Sequence, residues 1–219
     1  MEKPFIYAAP GDTLPKRMSN NSSKRRKAKS GWRRVLSNVL LEVRDWAIWI
    51  GIAIILAPIL GWLLTMFLGN ATPLVAVMST SMVHDWTTPR VYTEWMVTNG
   101  INSEAMDSFP FKNGFDKGDV LVILAAKKPS DINVGNVIVF NADRKYPIIH
   151  RVIAIQATRS NSTTMSYFYM TKGDHNPIPD PWITPYNRVE GRAVFRIPYI
   201  GYIKVIPIEI LDSLTGGTS

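Results

Sequence analysis

The sequence predicts a mostly β domain anchored by one N-terminal transmembrane α-helix. Two observations predict this fold class. An uncharged apolar run of 23 residues occupies positions 46–68, and beyond Gly69 the chain changes to short apolar runs bounded by turn residues. The first pattern is typical of a membrane-spanning helix and the second of β-strands.

The run at 46–68 is long enough to cross a bilayer. As a helix it would extend about 34 Å, against a hydrocarbon core of about 30 Å. It is apolar on all sides, and Trp46, Trp49 and Trp62 lie toward its ends, where interfacial tryptophans are common. The apolar surface together with the tryptophans near the ends argues against a buried core helix, and a cleaved signal peptide would be shorter and begin earlier.

The positive charge of the chain is concentrated before this span. Residues 1–45 carry a formal charge of +7 out of a net +8. Because positive charge beside a span marks the cytoplasmic side, we expect the N-terminus inside the cell and residues 70–219 outside, with the bilayer as a partner. No aromatic or glycine pattern accompanies the charges, so nucleic acid is not expected as a partner.

The residues before the span form two expected regions. Residues 1–31 mix Pro, Ser, Asn and basic residues, which predicts a disordered basic cytoplasmic tail. Residues 32–45 place apolar side chains at helical spacing. This spacing predicts either an amphipathic helix on the inner membrane surface or an extension of the membrane helix.

Residues 70–219 are expected to form the external β domain. Residues 83–118 interrupt it with little periodicity and with exposed-looking aromatic residues including Trp86, Trp95, Phe109 and Phe111, which predicts an insertion or lid rather than core. Apolar runs bounded by turn residues predict strands near 74–79, 119–125, 136–141, 147–155, 166–172, 189–196 and 199–206.

The residue types available for chemistry are few. The chain has three histidines and no cysteine, which excludes thiol catalysis and disulfides. No His-x-x-x-His or comparable pair occurs, so we expect neither a metal site nor another cofactor.

Three kinds of side chain could together form a hydrolytic site. Ser79 and Ser81 lie at the end of an apolar strand, His150 lies in the middle of another, and Asp174 and Asp180 belong to a later Pro-rich loop. Each has an ordinary structural explanation as a turn former, a half-buried histidine or a solvated carboxylate. Together they are the parts of a hydroxyl nucleophile, its base and the group that orients the base.

Five motifs in order give this set a family resemblance. Together they resemble type I signal peptidases, specifically the archaeal and endoplasmic-reticulum branch, over roughly residues 46–206. Residues 197–202 look like that family's closing strand pair. The motifs are Ser79-Thr80-Ser81-Met82, Lys117-Gly118-Asp119-Val120-Leu121, Val134-Gly135-Asn136-Val137-Ile138-Val139, Ile149-His150-Arg151-Val152, and Thr171-Lys172-Gly173-Asp174-His175-Asn176 followed by Asp180.

The resemblance implies a role for each site residue. Ser81, directly before a methionine, matches the family nucleophile, and His150 stands where bacterial relatives have a lysine as the base. Asp180 matches the carboxylate of the triad, and Asp174 matches a second, supporting aspartate. Ser79 resembles the position whose side chain helps to bind the oxyanion.

The chain departs from the family pattern in two places. Thr80 and His84 stand where the family commonly has Gly and Pro, and some 35 residues separate the first motif from Gly118-Asp119. Longer archaeal members resemble this arrangement. Because His84 is only three residues from Ser81, it is a rival candidate for the base.

The resemblance implies a membrane-bound serine endopeptidase that cleaves signal peptides from exported preproteins at the outer face of the cell membrane. It also implies a preference for small residues before the cleavage site. Its expected partners are signal peptides and translocation machinery or accessory subunits. The alternative is a non-catalytic, membrane-tethered β domain that binds peptides or partner proteins. A third interpretation, recruitment of nucleic acid or anionic lipid by residues 1–45, is compatible with either.

Overall fold

The structure is a computed structural model that describes residues 21–159 and 165–215. The chain divides between Ala57 and Pro58 into an N-terminal helical unit and a C-terminal unit that contains a β-sheet. The α-helices of the described residues are α1 (Asn21–Leu68), α2 (Trp95–Thr98), α3 (Ser103–Asp107) and α4 (Tyr202–Thr215). The strands are β1 (Leu74–Ala76), β2 (Val120–Leu124), β3 (Val137–Phe140), β4 (Ile148–Arg159), β5 (Met165–Lys172), β6 (Ile183–Pro185) and β7 (Val189–Ile197).

Helix α1 contains the predicted apolar run. Within it, Ser37–Leu68 is long and apolar enough to cross a membrane, and it is the one such helix in the described part of the chain. The helix runs without interruption through residues 32–45, so these residues continue the same helix. It begins at Asn21, inside the stretch predicted to be disordered, whereas residues 1–20 lie outside the described residues.

The seven strands of the described residues form one curled antiparallel sheet. Their order is β1-β2-β7-β3-β4-β5-β6, which places β1 and β6 at the two edges. The prediction of a mostly β domain behind one long apolar helix is therefore confirmed.

Strand β3 shows how the sheet is buried on both faces. Its four residues are fully buried and alternate between two apolar clusters, since successive side chains of a strand point to opposite faces. Val137 and Val139 pack with Met82 and Phe115, and Ile138 and Phe140 pack on the other face. The second cluster also contains Ile132, Val152 and Tyr169.

The predicted strand at 199–206 is wrong, because the chain turns and then forms α4. Gly201 packs so closely on the Gly118–Asp119 backbone that an added Cβ would lie 2.7 Å from two carbonyl oxygens. The apolar run contains few polar residues, so its period does not separate strand from helix. In the fold, acidic residues of α4 pair with lysines outside it: Glu209 with Lys117, and Asp212 with Lys145. The short strand β6 was not predicted.

The segment 83–118 is more buried than the sequence predicts. Trp86 is exposed, but three of the aromatic residues expected on the surface are half-buried: Trp95, Phe109 and Phe111. The segment also contributes a core of its own, in which buried Tyr92, Met96 and Met106 pack against Ile153 of β4. The expectation that it lies outside the core is therefore wrong, because the sheet and the segment bury apolar surface against each other.

Candidate active site

Ser81 lies in a turn that follows β1, and two other segments of the chain hold this turn by backbone hydrogen bonds. The next residue, Met82, is fully buried in the first apolar cluster. The backbone N–H of His175 donates to the Ser81 carbonyl (2.8 Å), and that of Phe115 donates to the Met82 carbonyl (3.1 Å). These contacts hold the backbone around Ser81 while its side chain remains partly accessible.

His150 lies on β4, opposite Ile138 of the central strand β3. Its side chain is only 9% exposed. The neighbours on the same face, Ile148 and Val152, belong to or pack against the second apolar cluster, as the alternation of the strand predicts. The imidazole is therefore held by a rigid part of the sheet.

The His150 ring joins Ser81 and Asp180 in one hydrogen-bonded chain. Its Nε2 lies 3.1 Å from Ser81 Oγ, and its Nδ1 lies 2.7 Å from Asp180 Oδ2. An ionised carboxylate can only accept hydrogen bonds, so Nδ1–H donates to Asp180. In the neutral ring Nε2 is then the acceptor for the Ser81 hydroxyl.

Asp180 is positioned by the end of β5. Its backbone N–H donates to the Thr171 carbonyl (2.9 Å), and the Thr171 hydroxyl donates to Asp180 Oδ2 (2.6 Å). Thr171 is the first residue of the motif Thr171-Lys172-Gly173-Asp174-His175-Asn176, but no role was predicted for its side chain. Its buried side chain fixes the carboxylate that faces His150.

Ser79 lies beside the nucleophile candidate. Its Oγ is 3.1 Å from Ser81 Oγ, and the residue is exposed. The structure thus brings together four of the five predicted site residues: Ser79, Ser81, His150 and Asp180.

The fifth predicted residue, Asp174, lies in a separate buried cluster. Arg151 binds its carboxylate in a bidentate manner, with Nε 2.9 Å from Oδ1 and Nη2 2.7 Å from Oδ2, and both side chains are fully buried. His84 Nε2 lies 2.9 Å from Asp174 Oδ2. Burial by itself would raise the pKa of Asp174, but the bond from His84 and the charge of Arg151 outweigh burial and lower it.

Arg151 ties several segments to Asp174. Its guanidinium also donates to three backbone carbonyls, those of Pro110, Phe111 and Gly135, at 2.7 to 3.0 Å. Burial would lower the pKa of Arg151, but Asp174 raises it above its usual value. The buried guanidinium therefore stays charged and hydrogen-bonded.

Lys172 is a second buried cation, which sequence reasoning did not single out. Its Nζ donates to the carbonyls of Val91 (2.7 Å) and Gly173 (3.1 Å) and lies 5.5 Å from the centre of the Trp95 ring. Burial lowers the pKa of Lys172 to about 8, although the charges of Asp174 and Asp180 act in the opposite direction.

A groove of about 860 Å³ opens beside Ser81 and His150. Strand β1 forms one wall, and residues 146–150 and α4 contribute others. About half of the lining residues are apolar and the others are polar or charged. The site groups thus lie at the edge of a groove that a polypeptide could enter.

No protein-family model matches the chain. It is 28% identical over 103 residues to the signal peptidase complex catalytic subunit SEC11 of Verticillium alfalfae, and the match covers 43% of this chain and 57% of that protein. The subunit of the same name from Chaetomium globosum is 29% identical, with the same coverage. An uncharacterised protein of Methanocaldococcus jannaschii is 35% identical over 65 residues, which are 27% of this chain and 30% of that protein.

The chain thus spans a little over half the length of the two fungal relatives, at modest identity. The relatives named SEC11 are catalytic subunits of signal peptidase complexes, and signal peptidases are the family that the sequence motifs resemble. Over somewhat less than half of its residues, this chain is similar to catalytic subunits of eukaryotic signal peptidase complexes.

Proposed function

We propose that the chain is a membrane-bound serine endopeptidase that cleaves signal peptides from exported preproteins. The observation that carries this proposal is the hydrogen-bonded chain from Ser81 through His150 to Asp180, at the edge of a groove. The similarity to signal peptidase catalytic subunits supports the choice of substrate.

The proposed reaction begins with attack of Ser81 Oγ on the scissile carbonyl carbon. The hydroxyl proton passes to His150 Nε2, while Nδ1–H stays hydrogen-bonded to the Asp180 carboxylate, whose charge stabilises the imidazolium. His150 then gives its Nε2 proton to the nitrogen of the leaving amine as the C–N bond breaks, leaving an ester on Ser81. In the second half, His150 takes a proton from a water molecule as that water attacks the ester carbon. It then returns this proton to Ser81 Oγ as the bond from the carbonyl carbon to Oγ breaks, which releases the carboxylate product and restores the free enzyme.

The oxyanion formed during attack needs hydrogen-bond donors. Ser79 is proposed as one donor, because its Oγ lies within 3.1 Å of Ser81 Oγ on the accessible side of the turn. The backbone N–H of Ser81 is the proposed second donor. Loss of one such donor costs on the order of 10²-fold in turnover in other serine peptidases.

The proposed substrate binds as an extended strand. Among the described strands β1 is paired on one side only, so its other edge, which lies along the groove, can pair with a peptide. Four residues, Val77 to Thr80, separate the end of β1 from Ser81. A peptide paired with β1 would therefore reach the nucleophile.

Helix α1 is the proposed membrane anchor. The basic residues before its apolar run at 46–68 are expected to keep the N-terminus in the cytoplasm, which puts the candidate site on the outer side of the cell membrane. A signal peptide in the same bilayer would present its cleavage site there. The relatives' names describe subunits of a complex, so accessory subunits are proposed partners. The archaeal type of signal peptidase is the proposed branch of the family, on the basis of the sequence motifs.

Cleavage of a preprotein by the purified full-length chain in detergent tests the proposal. We expect a product whose new N-terminus, read by mass spectrometry, follows the signal peptide. Specific binding of the preprotein without cleavage would contradict the proposal and support the non-catalytic peptide-binding alternative.

Protease added to intact cells tests the orientation. We expect it to reach exposed sites near Trp86 but to leave residues 1–20 uncut. The reverse pattern would place the candidate site in the cytoplasm and contradict the role in export.

A further inference from the structure

His84 is a partly buried histidine that the proposed mechanism does not use. Its side chain is 14% exposed, and its Nε2 lies 2.9 Å from the fully buried carboxylate of Asp174. Because a carboxylate only accepts, Nε2 carries a hydrogen and donates to it. The described structure has no hydrogen bond between His84 and Ser81.

The segment 83–118 builds a close-fitting slot for this ring. The ring of Tyr92 lies 5.1 Å from that of His84, centre to centre. On another side lies Gly114, where an added Cβ would be 2.6 Å from His84 Cδ2 and closer still to the Met82 carbonyl oxygen. Gly114 also has a positive φ of 67°, a conformation that other residues rarely adopt. The slot therefore depends on the absence of a side chain at this position.

Asp174, the partner of His84, is connected to the backbone of the nucleophile. The Asp174 backbone N–H points to Met82 Sδ at 3.4 Å, and the next residue, His175, donates its N–H to the Ser81 carbonyl at 2.8 Å. His84 itself lies two residues beyond Met82 along the chain. The bond from His84 to Asp174 therefore closes a loop of contacts around Ser81.

We propose that His84 is a positioning residue that fixes the turn carrying Ser81 by holding it to Asp174. This inference rests on the proposed function. It assigns a role to the inserted segment as well, since Tyr92 and Gly114 hold the His84 ring on its partner. His84 is not assigned as the base, because no hydrogen bond joins its ring to Ser81 in the described structure, whereas His150 Nε2 lies 3.1 Å from Ser81 Oγ.

Two amide substitutions separate the hydrogen bond from the volume of the side chain. The amide nitrogen of glutamine can occupy the place of Nε2, so His84→Gln should keep the bond to Asp174. Asparagine is shorter and cannot reach it, so His84→Asn should lose the bond. Arg151 still neutralises Asp174 in both variants, so both should fold.

Preprotein cleavage by full-length variants in detergent gives the first measurement. We expect His84→Asn to lower kcat by about 10-fold to 100-fold with KM changed less than about threefold, since small displacements of a nucleophile have effects of this order. His84→Gln should stay within about threefold of the wild-type kcat. Equal kcat values for the two variants, whether both are close to the wild-type value or both are reduced, would overturn the proposal.

The pH dependence of kcat/KM gives a readout that separates positioning from base catalysis. The charged and titratable groups facing the His84 ring are Asp174, Arg151 beyond it, and Tyr92. His84→Gln should keep the acid limb of the profile, because His150 is the base. Disappearance of that limb would make His84 the base and reject the positioning role.

Amide hydrogen exchange tests the inference without any cleavage. Exchange at residues 81–84 and 173–176 should be faster in His84→Asn than in the wild type, and unchanged in His84→Gln. Where the asparagine variant is not recovered folded, His84→Ser, which leaves room for water at Asp174, replaces it with the same expectation. A wild-type chain that cleaves nothing would reject the proposed function, whereas equal exchange in all variants would reject the role of His84.

Discussion

Two histidine–aspartate pairs of similar length lie in the sheet-containing unit, and they have different surroundings. His150 and Asp180 are 2.7 Å apart, and the ring reaches Ser81 on its other side. His84 and Asp174 are 2.9 Å apart, and Asp174 is bound by a buried arginine instead. The first pair lines the groove, whereas neither member of the second pair does.

The geometry of β4 and the residues after β5 separate the two pairs. His150 and Arg151 are neighbours on β4, so they point to opposite faces of the sheet, and each meets its own aspartate. No Lys or Arg of the described residues forms an ion pair with Asp180. Its charge is therefore available to an imidazolium, whereas that of Asp174 is already neutralised. A histidine–aspartate pair thus acquires its role from the third group it contacts.

The largest difference between the pairs is expected in turnover. His150→Ala and Asp180→Ala should each lower kcat for preprotein cleavage on the order of 10³-fold or more, because the groups of a triad act as a unit. The double variant should be little worse than either single variant. Full additivity of the two losses, or an active His150→Ala variant, would contradict this part of the account.

The next effect concerns stability, for which Asp174 is expected to matter more than Asp180. Asp174→Asn leaves the buried charge of Arg151 without its ion-pair partner, so the free energy of unfolding should fall by about 3–5 kcal/mol. Asp180→Asn should cost about 1 kcal/mol or less, because no buried Lys or Arg of the described residues forms an ion pair with it. Urea unfolding followed by tryptophan fluorescence measures both, and similar losses would remove the distinction between the two pairs.

A smaller effect concerns the buried Lys172, whose charged form is favoured by the charges of both aspartates. Its pKa is about 8 in the folded chain, against about 10.4 in an unfolded one. Between these values the unfolded chain holds more protons, so rising pH should favour the folded state. The free energy of unfolding should rise by at most about 1.4 kcal/mol per pH unit relative to Lys172→Met. A constant difference between pH 8 and 10 would show that Lys172 stays protonated throughout.

The smallest effect is expected for His175, the third histidine. Its ring is 34% exposed, with contacts to Thr87 Oγ1 at 3.5 Å and to Asp85 at 3.7 Å. Exposed pairs of this kind contribute little, so His175→Gln should keep kcat within about twofold of the wild type. A loss of kcat as large as that expected for His84→Asn would contradict this prediction. It would show that a buried aspartate partner does not decide how much a histidine near the site contributes to turnover.

The parts of the site that the sequence predicted are those carried by regular strands. Alternation along β4 places His150 on the face of Ile148 and Val152, and the ends of β1 and β5 lead to Ser81 and Asp180. Local patterns are sufficient here, because each strand orients its own residues. The motifs then supplied the pairing of residues that are far apart in sequence.

The parts that the sequence did not predict depend on contacts between distant residues. His84 and Asp174 are 90 positions apart, and nothing in the local pattern shows that segment 83–118 packs over Ile153 and brings them together. The helix α4 was mistaken for a strand for a related reason. Its apolar run fits either period, and its pairing with Lys117 and Lys145 exists only in the folded chain.

The central claim is that Ser81 is the nucleophile, and comparison of two neighbouring serines tests it most directly. Ser79 and Ser81 have hydroxyls 3.1 Å apart, so Ser79→Ala is a matched control for Ser81→Ala. The account predicts that Ser81→Ala remains folded but cleaves no preprotein above background, while Ser79→Ala retains measurable cleavage after a loss of about 10²-fold. Cleavage by Ser81→Ala at a rate equal to or above that of Ser79→Ala would contradict it.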